Sequence, residues 1–187
     1  MSNRTNDIGH WSTEKLETLA ETRIFKLVRK RAASPIDPAR SGEFVVIDSP
    51  DWVNVVALTE EEEVLLIEQF RHGTEEVTVE IPGGTVDPGE DPLSAGLREL
   101  REETGYGGGE ARLIGAVAPN PALMDNRCHT VLVRGVERLG DPELEGLEEI
   151  HTRRVPIAEV PELIRSGVIS HALVIAAFHF LLLEQGA

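Results

Sequence analysis

Between Phe44 and Ile81 turn-forming clusters cut the chain into short β-branched and aliphatic segments, and this punctuation limits the fold more than any other feature. The segments are FVVID (44–48), WVNVVAL (52–58) after the Ser49-Pro50-Asp51 turn, VLLIEQF (64–70) after the charged run Glu60 to Glu63, and Val77 to Ile81, stopped by Pro82-Gly83-Gly84. Such stretches predict successive strands of an antiparallel or mixed sheet. At Asp91 the period changes: Asp91 suits a helix N-cap, Pro92 the first helical position and Gly105 a left-handed stop, which predicts a helix over 92–104. Leu93, Leu97 and Leu100 recur at i, i+4 and i+7 and predict one core-facing stripe.

Further strands are predicted near 112–118, 129–136 and 150–155, then a short helix over 161–166. A very apolar helix over 171–184 must be buried against the sheet. Strands with interspersed and terminal helices make an α/β sandwich. Residues 1–41 are polar or mixed, broken by Pro35 and Pro38, and read as an N-terminal arm ahead of a domain over 42–187. Within the arm, Thr22 to Arg31 alternates as a strand, either a dimer-forming extension or an edge strand of the same chain.

Lys plus Arg number 18 against 33 Asp plus Glu, a net charge of −15, so the overall field repels nucleic acid. With 41% hydrophobic residues, global disorder is excluded. The carboxylate excess instead suits divalent cations, which prefer hard oxygen ligands, and through them a phosphorylated small molecule. Cys128 is the only cysteine, which leaves no intrachain disulfide and fits a reducing cytoplasm. The N-terminus has no apolar segment of signal length, and the run Ala172 to Phe178 is too short to span a membrane.

On the 92–104 helix, Glu99, Glu102 and Glu103 sit at i, i+3 and i+4 and so share one flank. Left unbalanced, each like-charge pair would cost roughly 0.2–0.5 kcal/mol, which a bound cation would offset. Gly96, one turn earlier on that flank, leaves room for a ligand or a neighbouring backbone. The segment Gly84 to Tyr106, GTVDPGEDPLSAGLRELREETGY, resembles the signature box of the Nudix hydrolases. Gly84, Glu90, Arg98, Glu99, Leu100, Glu102, Glu103 and Gly105 all fall where that pattern asks, and only Tyr106 departs, at a closing aliphatic position that serves packing. At a background of roughly 7% per position, such a match arises by accident on the order of 10⁻⁸ per start.

The resemblance implies an α/β/α sandwich with a mixed sheet, and metal-dependent hydrolysis of a nucleoside diphosphate linked to another group, with Mg²⁺ or Mn²⁺. By matching position it makes Glu99, Glu102 and Glu103 metal ligands with the Gly83 carbonyl, Arg98 the residue that orients them, and Glu90 the brace of the loop. LLIEQFRHG and EIPGG resemble the ADP-ribose and nucleotide-sugar pyrophosphatase branch, which places Arg71 on phosphate or ribose with Glu80 as its partner. Pro121, sixteen positions after Gly105, together with Asn120 and Asn126, is similar to the nucleotide-sugar hydrolases. The loop GDPELEGLEEIHTRR must supply the distal carboxylate, a general base or further metal ligand: Glu148 matches best and Glu145 second. Trp52 either stacks on a base or packs in the core, and His72, His129, His151, His171, His179 and Cys128 read as structural. The branch implies a homodimer acting on ADP-ribose or a nucleoside diphosphate sugar. A hydrolase of damaged nucleoside triphosphates and a non-catalytic nucleotide-sugar sensor are the alternatives.

Overall fold

The structure, a computed structural model, describes residues 9–144 and 146–186. In chain order its elements are β1 (Ser12–Glu21), β2 (Lys26–Ala33), β3 (Ser41–Asp48), β4 (Trp52–Leu58), β5 (Glu63–Arg71), β6 (Glu76–Glu80), β7 (Gly83–Thr85), α1 (Pro92–Thr104), β8 (Tyr106–Gly107), β9 (Glu110–Val117), β10 (Cys128–Arg134), β11 (Glu137–Arg138), β12 (Ile150–Pro156), α2 (Val160–Arg165) and α3 (Ala172–Gln185). Among the described residues they form two compact units, 9–49 with 120–126, and 50–119 with 127–186.

The first unit is an antiparallel sheet in the order β1-β2-β3. Strand β1 has no counterpart in the sequence reading, because STEKLETLAE carries charge where an apolar alternation would reveal a strand. Cross-strand pairs hold it instead: Glu17 to Arg29 and Glu21 to Lys26, each 2.8 Å. The segment 44–48, expected beside the other strands of the main domain, pairs with β2 along its whole length, since the turn over 34–40 brings these sequence neighbours together. The segment 120–126 joins the unit through an Ile47–Met124 bridge and a Lys30–Asp125 ion pair of 3.0 Å.

The second unit is the α/β/α sandwich. Its sheet runs β12-β5-β4-β10-β9, with β4 and β10 parallel and the rest antiparallel, so it is mixed. Val53, Val55, Ala57, Leu65, Val131 and Val133 face α1 through Ala95 and Leu100. Val56, Leu58, Val64, Leu66 and Leu132 face α3 through Val174, Ala177, Phe178 and Leu181. The helix α3 buries one face only, and Leu182 and Leu183 on it are exposed.

Strands β4 and β5 pair at a single position, Leu58 with Val64, and then part. Past the split β5 takes β6 as partner, and β4 takes β7. The split carries Gly83 and Gly84 into the middle of the sheet, directly beneath the helix that bears the acidic residues.

Candidate active site

Helix α1 begins and ends as its sequence dictates. Asp91 accepts from the amides of Leu93 (3.0 Å) and Ser94 (3.1 Å), and Gly105, at φ 74°, donates its amide to the Arg101 carbonyl. The buried face is Ala95, Gly96, Leu100, Glu103 and Thr104. Leu97 is therefore no part of the stripe; it is 36% exposed. Gly96 leaves no room for a ligand: a Cβ there would stand 3.0 Å from Val131 Cγ2 and 3.1 Å from Val53 Cγ2, so the missing side chain seats the helix on the sheet.

That close seat drives Glu103 inward until it is 5% exposed. Its Oε2 accepts from the Gly83 amide at 2.8 Å, and a Cβ on Gly84 would overlap the Glu99 carboxylate. Burial, with the neighbouring charges of Glu99 and Glu148, pushes the Glu103 carboxyl up to about 8 despite the Gly83 amide and Arg71. Burial raises Glu99 also.

Arg98 is the hub of the loop. Its Nε and one terminal nitrogen bind Glu90 at 3.1 and 3.0 Å, that same terminal nitrogen reaches the Thr85 carbonyl, and the other binds Glu99 (2.8 Å) and Glu102 (3.1 Å). The carboxylates share a flank, but Arg98 holds two of them and Gly83 the third. Among the described residues no three His, Cys, Asp or Glu side chains stand ready to grip an ion. Glu148 is exposed, and its charge reaches Glu99, Glu103 and Arg71. Glu145 lies outside the described residues.

On the other side of Gly83 and Gly84 opens a cavity of about 480 Å³, walled by Trp52, Asn54, Arg71, Thr78, Glu80 and His171 among others. Arg71 and Glu80 form a two-bonded pair, both bonds 2.8 Å, and Thr78 donates to Glu80 at 2.6 Å. Burial alone would raise Glu80, which is 3% exposed, yet the bonds from Arg71 and Thr78 hold it below its usual range. Trp52 is half-buried on the cavity wall, beside buried Cys128, whose thiol burial pushes up to about 12. His171, expected to be structural, lines the cavity with Nδ1 4.0 Å from Glu80 Oε2. Asn54 lines it as well, and was not singled out in sequence; a lone His and a lone Asn have no spacing that could mark them. Asn120 belongs to the first unit, where its carbonyl accepts from the amides of Leu123 and Met124.

The donors around Gly83 and Gly84 are hard oxygens crowded as like charges, with Arg71 and one amide as partial balance. This chemistry fits a divalent cation, which would take over from Arg98 as the counter-charge. The Nudix domain profile matches residues 49–178. The ADP-ribose pyrophosphatase of Bacillus subtilis is 31% identical over 75% of this chain and 76% of its own. The methanol dehydrogenase activator of Bacillus methanolicus is 28% identical over 92% and 93%. In fold the chain resembles the crystal structure of an ADP compounds hydrolase, with a TM-score of 0.77 over 95% of each chain at 21% identity. A signature loop under a seated helix, an acidic cluster that wants a cation and a family match over most of the chain lead to one assignment: the chain belongs to the Nudix family and is a hydrolase.

Proposed function

We propose that this enzyme is a pyrophosphohydrolase of ADP-ribose or a related nucleoside diphosphate sugar, releasing a nucleoside monophosphate and a sugar phosphate. The observation that carries the reading is the Gly83-Gly84 step, which has the buried carboxylates on one side and the Arg71–Glu80 cavity on the other. A diphosphate lying across that step would meet the acidic cluster while its organic end enters the cavity.

Nudix hydrolases use divalent ions. Glu99, Glu103 and the Gly83 carbonyl, with Glu102 and Glu148, would hold Mg²⁺ or Mn²⁺, which neutralises the diphosphate and lowers the pKa of water. The chain's own residues do the rest. Arg71, fixed by Glu80, offers its remaining guanidinium donors to a phosphate or ribose oxygen. Trp52 gives a flat face to the base. Arg98 and Glu90 keep the loop and the carboxylates in place between turnovers. Glu148, exposed on its loop with Glu145 as the alternative, takes the proton of the attacking water. The water oxygen bonds to phosphorus, the bridging P–O bond breaks, and its electron pair leaves with the departing phosphate.

A panel of ADP-ribose, UDP-glucose, GDP-mannose and 8-oxo-dGTP, assayed with Mg²⁺ and with Mn²⁺ and with products identified, tests this. Release of AMP and ribose 5-phosphate is expected; turnover of 8-oxo-dGTP alone would replace the reading with nucleotide house-cleaning.

We also propose a cytoplasmic homodimer. No helix of the described residues is long and apolar enough to cross a membrane. The support for a dimer is the first unit, where Phe44 on β3 and Trp11 just ahead of β1 pack ring to ring and are both exposed, while a three-stranded sheet needs a covered apolar face to be stable. Light scattering should give twice the chain mass of 20.5 kDa. Phe44→Glu, which breaks the edge-on ring pair with Trp11, should shift the protein toward monomer.

A further inference from the structure

Strands β4 and β10 run parallel and begin side by side, Trp52 opposite Cys128, and both residues line the cavity. A ladder frays first at its end, so the firmness of this wall depends on what lies just beyond the last rung. Asp51 stands there. Its Oδ1 accepts from the Arg127 amide at 2.8 Å, and its Oδ2 bonds His129 Nε2 at 2.9 Å. The Trp52 amide in turn donates to the Arg127 carbonyl at 2.8 Å. One carboxylate thus grips β10 on both sides of Cys128 and ties it to the start of β4.

Burial alone would raise the Asp51 carboxyl, yet the bonds from His129 and Arg127 hold it below its usual range. An ionised carboxylate has only acceptors, so the ring nitrogen that faces it carries a proton. The resulting charge-assisted bond is shielded on the His129 side, where 17% of the side chain is exposed against 40% for Asp51. The backbone of Asp51 has a separate task. Its carbonyl accepts from the Val86 amide at 2.9 Å, which extends the β4–β7 ladder into the loop that Arg98 anchors at the Thr85 carbonyl. Side-chain changes at Asp51 or His129 spare that link, and with it the carboxylate cluster. They loosen only the end where Trp52 and Cys128 face the cavity.

We propose that Asp51 and His129 are a positioning pair: without touching substrate, they fix Trp52 on the cavity wall so that its indole meets the base of the nucleotide. The inference rests on the pyrophosphohydrolase reading, with Trp52 as the stacking residue, and adds what holds that residue still. Such a pair acts on binding of the base-bearing half of the substrate and spares the chemical step.

Three measurements test it: kinetics with ADP-ribose, product inhibition by AMP and by ribose 5-phosphate, and acrylamide quenching of tryptophan fluorescence in a Trp11→Phe background. Trp11 and Trp52 are the only tryptophans, so that background reports Trp52 alone. His129→Phe keeps a ring and removes the bond to Asp51, while Asp51→Ala removes both side-chain bonds. In each, KM for ADP-ribose and the inhibition constant of AMP should rise at least roughly fivefold, the lower end of what one base–aromatic stack is worth, with kcat and the ribose 5-phosphate constant within about twofold. Quenching of Trp52 should become more efficient in both. Asp51→Asn keeps an oxygen for the Arg127 amide and can donate to the other tautomer of His129, so it should restore most of the wild-type KM and quenching. A merely structural role would lower kcat or the thermal midpoint and leave the contrast between AMP and ribose 5-phosphate and the quenching unmoved. That result overturns the proposal, as does an equal rise in both inhibition constants. Should His129→Phe fail to fold, Asp51→Ala, at the more exposed partner, carries the same test. Wild-type protein that does not cleave ADP-ribose overturns the pyrophosphohydrolase reading; cleavage with unaltered KM in the variants overturns this inference alone.

Discussion

Glu103 is a nearly enclosed carboxyl beside two other acids, with a single backbone amide bonded to it. Glu103→Gln keeps an oxygen to accept from Gly83 and removes only the charge. Activity should fall by more than the ~10–100-fold typical of a residue that merely supports a metal ligand, and the loss should be in metal-dependent product release. In the same variant the metal-free protein should be more stable at alkaline pH than wild type, because the uncompensated charge is gone. A variant that is inactive and also unstable would point to a structural role for this residue. The acidic spacing made Glu103 legible in the sequence. Its depth was not, because that depends on how close Gly96 lets the helix come to Val53 and Val131.

At the scale of elements, α1 is the part the sequence specifies best: Asp91, Pro92 and Gly105 each act locally, and the helix spans 92–104 as expected. Its packing is less local. Gly96→Ala gains roughly 0.5–1 kcal/mol of helix propensity, but its Cβ would press within 3.0–3.3 Å of valine methyls on the sheet. Overpacking of this kind costs about 1–3 kcal/mol, so the net expectation is a loss of about 1 kcal/mol by denaturant titration. Glu99 and Glu103 ride on the same helix, so metal-dependent activity should drop with it. Gly105→Ala should cost more than the about 1–2 kcal/mol of a side chain at φ 74°, because its Cβ would also overlap the Gly140 carbonyl oxygen. Strand β1 and the pairing of β3 escaped the sequence reading because charged cross-strand pairs and the partner of a strand leave no period to count.

For the whole molecule, acidic groups act on stability in opposite directions. Glu80 and Asp51 have folded pKa values below their usual range. They stabilise the fold above the unfolded carboxylate value, and that contribution is lost as the pH falls through the folded one. Glu103 goes the other way, from 4.5 to about 8, so over that interval the folded protein binds more protons than the unfolded chain, and stability declines as pH rises. A net charge of −15 adds self-repulsion in the same sense. In EDTA, the midpoint of thermal unfolding should therefore be higher near about pH 5.5 than near about pH 8, by ~2–4 °C for each kcal/mol lost. A divalent cation binds the ionised carboxylates and competes with the proton, so millimolar Mg²⁺ or Mn²⁺ should stabilise more at the higher pH and shrink the gap. Glu103→Gln should flatten the EDTA curve and remove most of the metal response. A wild-type midpoint that climbs from weakly acidic to weakly alkaline pH without metal would mean that Glu103 is already ionised in the folded protein, and the charge-crowding argument for a cation at Gly83-Gly84 would fall with it.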